Sequence, residues 1–176
     1  EQFGETAVMP LLSRLHDSDR SVQKNVIRLL GRLKSPRAQK PLCALLKKNH
    51  DELLSVEVAE ALAGYTDYTV IDTLRTCIET TKWERLQHVA VKSIANVNTA
   101  YAQAVLRSFL SNNHPARRFA EEALKDKEQF SSEDALLLAH ADFKDPKTRP
   151  AASALLRTFG ILAFPYIKKM LTESDD

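Results

Sequence analysis

Five histidines are the side chains of this sequence best suited to metal binding. His16-Asp17 and His50-Asp51 repeat a histidine followed by an acid at a spacing of 34 residues. Imidazole and carboxylate are common zinc and iron ligands, but two pairs cannot supply four ligands that face one another across a repeat. The other three histidines are not followed by an acid: His88, His114 and His140. We therefore expect no metal and no other cofactor, and we interpret both acids as turn or cap residues.

No arrangement typical of nucleophilic catalysis is present in the sequence. Neither Cys43 nor Cys77 has a suitably spaced histidine, and there is no Gly-x-Ser-x-Gly segment or glycine-rich phosphate loop. His114 stands near Arg117 and Arg118, where a capped helix start with solvated arginines is the simpler interpretation. We expect no catalytic residues and no enzymatic activity. The two cysteines are interpreted as buried, reduced thiols, which favours a reducing compartment and by default the cytoplasm.

Two rows of basic residues stand opposite the apolar stripes of segments 20–34 and 83–97. Carboxylates between them, Glu57 and Glu60 included, interrupt the rows, and a groove for a phosphate backbone would not normally carry such acids. A partner of alternating charge therefore fits better than DNA or RNA, and an ordinary mixed-charge surface is the remaining alternative. The candidate partner-binding residues are both rows, these two acids and three later arginines: Arg20, Lys24, Arg28, Glu57, Glu60, Arg85, His88, Lys92, Arg117, Arg118 and Arg149.

Length and composition are typical of a folded helical protein. The 176 residues are 44% hydrophobic and 27% charged, and four are glycine, too few for a loop-rich or β-sandwich protein. The net charge of +2 argues against a strongly basic nucleic-acid-binding protein. No apolar run approaches the ~18 residues of a membrane span, so we expect no membrane partner. We expect one domain over residues 1–176, which could be a fragment of a larger protein since the chain begins at Glu1.

Apolar residues at helical spacing predict helices that follow one another in pairs. The predicted pairs are 3–16 with 20–34, 36–48 with 51–65, 68–80 with 83–97, 99–111 with 115–127 and 132–142 with 146–159, followed by a terminal helix near 161–172. On segment 20–34 the expected buried stripe is Val22, Val26, Leu29, Leu30 and Leu33. A helix pair of this size cannot bury both of its faces alone, so we expect the pairs to stack into a solenoid.

The ends of the second helices repeat, with 33 and then 32 residues between Leu29-Leu30-Gly31, Leu62-Ala63-Gly64 and Ile94-Ala95-Asn96. The segment LGRLKSPRAQKPLCALLKK resembles the short HEAT-like repeat of the phycobilisome-lyase type, with its Leu-Gly, its small-Pro-x-Ala turn and its Pro-Leu-x-x-Leu-Leu. The resemblance is good over residues 10–66, fair to 98 and weak beyond. It implies an all-α fold of the armadillo type, a right-handed α-α superhelix of about five HEAT-like helix pairs plus a terminal helix.

The resemblance also implies where partners bind, since the second helix of each HEAT-like pair lines the inner surface of the array. We expect a non-catalytic protein–protein interaction scaffold or adaptor, whose partner is another protein or another domain of the parent chain. Two alternatives stay open: nucleic-acid backbone binding, as in the HEAT-like DNA glycosylases, and an accessory role of the bilin-lyase or chaperone type. An uninterrupted basic groove would favour the first alternative, and a deep apolar pocket between repeats the second.

Overall fold

The computed structural model describes residues 2–48, 51–97, 99–110 and 114–125. The helices in this part of the chain are α1 (Gln2–Ser13), α2 (Arg20–Leu33), α3 (Pro36–Lys48), α4 (Glu52–Leu62), α5 (Tyr68–Thr80), α6 (Glu84–Ala95), α7 (Ala100–Ser108) and α8 (Arg117–Leu124). Apart from an isolated bridge between Ala63 and Tyr65, these residues contain no β structure. The chain divides into two units, Glu1–Val97 with α1 to α6 and Asn98–Asp176 with α7 and α8.

The fold class expected from the sequence, an all-α HEAT-like solenoid, is confirmed. The first four predicted pairs correspond to α1/α2, α3/α4, α5/α6 and α7/α8. The structure also gives a more regular period than the sequence did, because α2, α4 and α6 begin 32 residues apart, at Arg20, Glu52 and Glu84. The predicted fifth pair, the terminal helix and Arg149 lie outside the described residues.

Aspartate side chains begin three of the helices by accepting backbone N–H groups that have no partner within the helix. Asp19 accepts from the N–H of Ser21 at 2.7 Å, and Asp51 from the N–H of Leu54 at 2.9 Å. Asp67 caps α5 in the same way, and Ser35 accepts from the N–H of Arg37 at 3.3 Å at the start of α3. The sequence-based assignment of Asp17, Asp51 and Ser35 to turns and caps agrees with these bonds.

In the first unit the second helices pack in the order α2, α4, α6, and α3 lies between α1 and α5 on the other side. Gly31 of α2 allows the closest approach, because a Cβ atom there would lie 2.7 Å from the Cα atom of Ala61 in α4. On the opposite side of α4, the Ser93 hydroxyl of α6 donates to the Ala59 carbonyl at 2.9 Å. With neighbours on both sides, α4 exposes only Leu53 and Glu60.

The buried face of α2 differs from the predicted stripe. Leu29 and Leu33 are exposed, at 45% and 37%, and Val22 is also exposed. Ile27 and Gln23 are buried instead, together with Val26 and Leu30. The reason is that α2 packs against α4 as well as against α1 and α3, so its buried face is rotated toward α4. The prediction treated α2 as a helix with a single apolar partner.

Candidate functional site

The exposed sides of α2, α4 and α6 form the surface that sequence analysis selected, and we call it the second-helix surface. Because these helices begin 32 residues apart, residues separated by 32 occupy equivalent positions on successive helices. Three rows of such positions cross the surface: Ser21, Leu53 and Arg85; Lys24, Val56 and His88; Arg28, Glu60 and Lys92. The first and third rows are exposed throughout, and Val56 in the middle row is buried.

Lys24 and Arg28 form ion pairs with Glu57 of the next repeat. Arg28 donates from Nε to Glu57 Oε2 at 2.7 Å and from Nη2 to Oε1 at 2.9 Å. Lys24 Nζ lies 2.8 Å from Glu57 Oε1. Glu57 is 8% exposed, so this carboxylate is enclosed between α2 and α4 and held by both cations. Three of the candidate binding residues therefore connect two repeats.

The charged state of Glu57 is the favoured one. Burial by itself raises the pKa of this carboxyl group, but hydrogen bonds from Arg28 and Lys24 outweigh burial, so that the pKa lies below its ordinary value of 4.5. The same contacts raise the pKa of Arg28. A second, more exposed pair joins the same helices one turn earlier, with 3.2 Å between Arg20 Nη2 and Asp51 Oδ2. Four charges that a partner could have used are thus engaged within the protein or close to it.

Leu53 is the most exposed large hydrophobic side chain among the described residues, at 63%. It lies two turns from Glu60 on the free side of α4, between α2 and α6. On α6, Arg85 and Lys92 are exposed and form no ion pair with any residue in the described part of the chain. His88 stands between them, also exposed. The second-helix surface therefore combines an apolar centre at Leu53 with two available cations on α6.

Arg117 and Arg118 belong to the second unit, on α8. Arg117 Nε donates to Glu121 Oε1 at 2.7 Å, one turn along the helix. The guanidinium of Arg118 lies 4.6 Å from the centroid of the Phe119 ring, within the range of a cation–π contact. His114 accepts the N–H of Ala116 through Nδ1 at 3.1 Å, close to the start of α8. The expected capped helix start with solvated arginines agrees with this arrangement.

Sequence analysis missed a cavity of about 610 Å³ within the first unit. It lies between α3, α4, α5 and the segment that leads into α6. Leu46, Leu86, Cys77 and Trp83 supply apolar surface, and Lys47 and Lys82 are the cations of the lining. Four hydroxyl groups come from threonines: Thr73, Thr76, Thr80 and Thr81. The only signal in the sequence was the pair of lysines and the tryptophan near helix ends, which by themselves have no such meaning.

Both cysteines are free thiols, as expected, but they differ in exposure. Cys43 is buried, whereas Cys77 is partly exposed and lines the cavity. Desolvation raises the pKa of both thiols, to about 11 for Cys77, so neither is activated as a nucleophile at neutral pH. Among the described residues, no three histidine, cysteine or acidic side chains meet in a way that could hold a metal ion.

Comparison with known proteins adds one match. A family model described as HEAT repeats matches residues 8–95, which include all of α2 to α6. No curated protein matches the chain. In the part of the chain that the structure describes, no helix is both long and apolar enough to cross a membrane.

Proposed function

Because this chain belongs to the HEAT-repeat family, we propose that it is a non-catalytic protein–protein interaction scaffold or adaptor whose partner binds the second-helix surface. The single observation that carries this proposal is the exposure of Leu53 at 63% in the middle of that surface. An apolar side chain inside a charged rim is the usual arrangement at the centre of a protein interface. Leu53 would enter an apolar pocket of the partner and exclude water from the contacts around it.

The partner that fits this surface carries an apolar pocket for Leu53 and acidic groups for α6. Arg85 and Lys92 are exposed on α6 and available for carboxylates. Lys24 and Arg28 contribute less, since Glu57 already neutralises them. This narrows the earlier expectation of an alternating-charge partner to one whose acids lie on the α6 side. Charge complementarity of this kind mainly sets the orientation and the rate of association.

The two alternatives have less support. A phosphate backbone would have to pass over Leu53 and Glu60, which separate the cations of α2 from those of α6. Nucleic-acid binding would also compete with the ion pairs of Glu57. A bilin-lyase-type role would favour a deep apolar pocket, whereas the cavity between the repeats carries four threonine hydroxyls and two lysines.

Two further expectations accompany this proposal. The raised pKa values of the thiols and their free state support a reducing compartment, and we propose the cytoplasm. We also propose that residues 1–176 act as one HEAT-like domain, with another protein or another domain of the parent chain as the partner. Proteolysis of the full chain tests the second point, since one domain would give a single protected core.

The proposal is tested by capturing proteins from the source lysate with the full chain and with two surface variants, Leu53→Asp and Lys92→Glu. Each variant changes an exposed side chain, so we expect the fold to survive, with stability changes within about 0.5 kcal/mol. The expected result is a protein that the unchanged chain retains and that both variants lose. Quantitative mass spectrometry measures the ratio of retained protein between baits.

Matched controls separate loss of the interface from a general effect of charge. Met9→Asp introduces the same acid at a 59% exposed apolar position of α1, away from the second helices, and Lys40→Glu reverses an exposed lysine of α3. Both controls should retain the partner. If all four variants behave like the unchanged chain, or if Met9→Asp loses the partner equally, the second-helix surface is not the binding surface.

A further inference from the structure

Two residues depart from the pattern that the 32-residue period imposes, and the first is Ser55. The fourth residue of each second helix is Gln23 in α2, Ser55 in α4 and Gln87 in α6. Gln23 donates from Nε2 to the Leu15 carbonyl at 2.9 Å, and Gln87 donates from Nε2 to the Thr81 carbonyl at 3.0 Å. Each glutamine thus ties its helix to the segment before it. Serine is too short to make the same bond.

The shorter side chain has two consequences. The Ser55 hydroxyl is buried, in a residue that is 1% exposed, and it has no hydrogen-bond partner. A buried hydroxyl without a partner is unfavourable, and such groups in a native protein call for an explanation. The space that a glutamine would occupy is also left open, and Ser55 lines the cavity of about 610 Å³.

The second departure is Trp83, at the N-cap of α6. The equivalent positions in α2 and α4 are Asp19 and Asp51, which cap their helices through their side chains. Trp83 makes no side-chain cap bond. Loss of a cap destabilises a helix, so this substitution also has a local cost. Trp83 instead contributes its ring to the wall of the same cavity.

Both departures from the repeat therefore meet at one cavity, and each lowers local stability there. Residues that break a local rule at such a cost tend to cluster at functional sites. The volume lies within the range of small-molecule sites, which are mostly apolar with a few convergent polar groups. Trp83, Leu46 and Leu86 offer a flat apolar wall, and Ser55 offers a hydroxyl that can donate or accept.

The charges around the cavity select for an anion. Lys47 and Lys82 line it, and no aspartate or glutamate does. The N-terminus of α6, which carries a partial positive charge, has no side-chain cap, and Leu86 of its first turn lines the cavity. The raised pKa of Cys77 means that this thiol adds no negative charge. All fixed charge in the lining is positive.

We propose that this cavity binds a small aromatic anion, with its ring against Trp83, its negative group near Lys47, Lys82 and the start of α6, and a second polar atom at the Ser55 hydroxyl. The site is separate from the second-helix surface and does not depend on the proposed scaffold function. The ligand fills the volume that the glutamines fill in the neighbouring repeats. It also supplies the hydrogen-bond partner that Ser55 otherwise lacks.

Calorimetric titration of the full chain with 6-hydroxynaphthalene-2-carboxylate tests the proposal. We expect saturable binding of one molecule and roughly tenfold weaker binding of the matching carboxamide, because charge-assisted hydrogen bonds are the stronger ones. Lys82→Gln should reduce this preference for the carboxylate, whereas Lys92→Gln, on the exposed side of α6, should leave it unchanged. Trp83 is the sole tryptophan of the chain, so its indole N–H resonance should shift in proportion to occupancy.

Two variants that restore the repeat pattern give the sharpest contrast. Ser55→Gln should fill the cavity and Trp83→Asp should restore the cap, so both should raise the melting temperature of the ligand-free protein and abolish binding. Gln23→Ser, the reverse change in the first repeat, should lower the melting temperature and leave binding unchanged. Thr80→Phe fills the cavity from α5 and should also abolish binding, which covers the case in which Ser55→Gln does not fold.

Three results would overturn the proposal. The first is the absence of saturable binding to the unchanged chain. The second is equal affinity for the carboxylate and the carboxamide, which would exclude an anion site. The third is unchanged binding in either cavity-filling variant, which would place the probe on an exposed apolar patch such as Leu53. Capture of a protein partner through the second-helix surface would be unaffected by any of these outcomes.

Discussion

Arg28 of α2 donates two hydrogen bonds to Glu57 of α4, at 2.7 Å and 2.9 Å, and so joins two consecutive repeats. The guanidinium and carboxylate planes are paired at both oxygens, and Lys24 adds a third contact at 2.8 Å. Sequence spacing assigned these residues to separate rows on a solvated surface. Their actual role in the first two repeats is to hold neighbouring helices in register.

Glu57→Gln should destabilise the protein by about 1 kcal/mol, since two cations lose their carboxylate while water screens both of them. The value stays small because Arg28 and Lys24 are about half exposed, at 52% and 43%. Urea denaturation measures the change in free energy of unfolding. Glu60→Gln makes the same change at an exposed position of the same helix and should leave stability within about 0.5 kcal/mol. Equal effects of the two substitutions would contradict the assigned role of Glu57.

The contribution of Glu57 should also depend on pH in a defined direction. The pKa of this carboxyl group lies below 4.5 in the folded protein, so folding favours its charged form. The stability that it adds is fully present above its unfolded-state pKa and is lost as the pH falls through the lower, folded-state pKa. The difference in unfolding free energy between the unchanged chain and Glu57→Gln should therefore be constant near pH 7 and shrink below about pH 4.5. A difference that grows on acidification would contradict this.

Gly31→Ala should destabilise the protein by about 1–3 kcal/mol, although alanine is the better helix former. The new Cβ atom would lie 2.7 Å from the Cα atom and 2.8 Å from the Cβ atom of Ala61, so α2 and α4 would have to separate. Asn25→Ala, at an exposed position of α2, serves as the control and should be neutral or slightly stabilising. Combining Gly31→Ala with Ala61→Gly should recover part of the loss. Thermal melts of the four proteins measure this coupling, and purely additive effects would argue against the close contact.

The two thiols should react at different rates in the native protein. Cys77 has a pKa of about 11 and opens onto the cavity, whereas Cys43 is buried. At pH 8 we expect iodoacetamide to label Cys77 roughly 10- to 100-fold more slowly than an ordinary free thiol, because the thiolate is the reactive form. Cys43 should be labelled more slowly still. Mass spectrometry of timed samples identifies the order, and fast labelling of Cys77 at pH 7 would contradict the assigned environment.

Much of the fold could be predicted because the relevant signals are local. Asp51 and Ser35 mark helix starts through bonds that span two or three residues, and the apolar spacing marks the helices. The repeat was also visible, although residues at helix ends gave it as 33 and then 32. The helix starts give 32 both times, because α4 ends earlier relative to its start than α2 does.

The site was less predictable because it depends on which helix flanks meet. A helical spacing places Lys24 and Arg28 on one side of α2, but it does not say that Glu57 of α4 packs there. The same limit explains the mistaken core assignment of Leu29 and Leu33, since a helix with three neighbours has no single apolar stripe. The cavity was out of reach for a similar reason. Ser55 and Trp83 are ordinary residue types, and their meaning depends on the side chains at equivalent positions of the other repeats.

The most direct test of the scaffold proposal is calorimetric binding of the captured partner and of a generic 20-base-pair duplex, each to the full chain and to Leu53→Asp, at 50 and 200 mM salt. The proposal predicts that the partner binds with modest salt dependence and that Leu53→Asp weakens it at least roughly tenfold, because a central apolar contact is lost. It also predicts that the duplex binds weakly or not at all. Tight duplex binding that falls steeply with salt, together with partner binding that Leu53→Asp leaves unchanged, would contradict it.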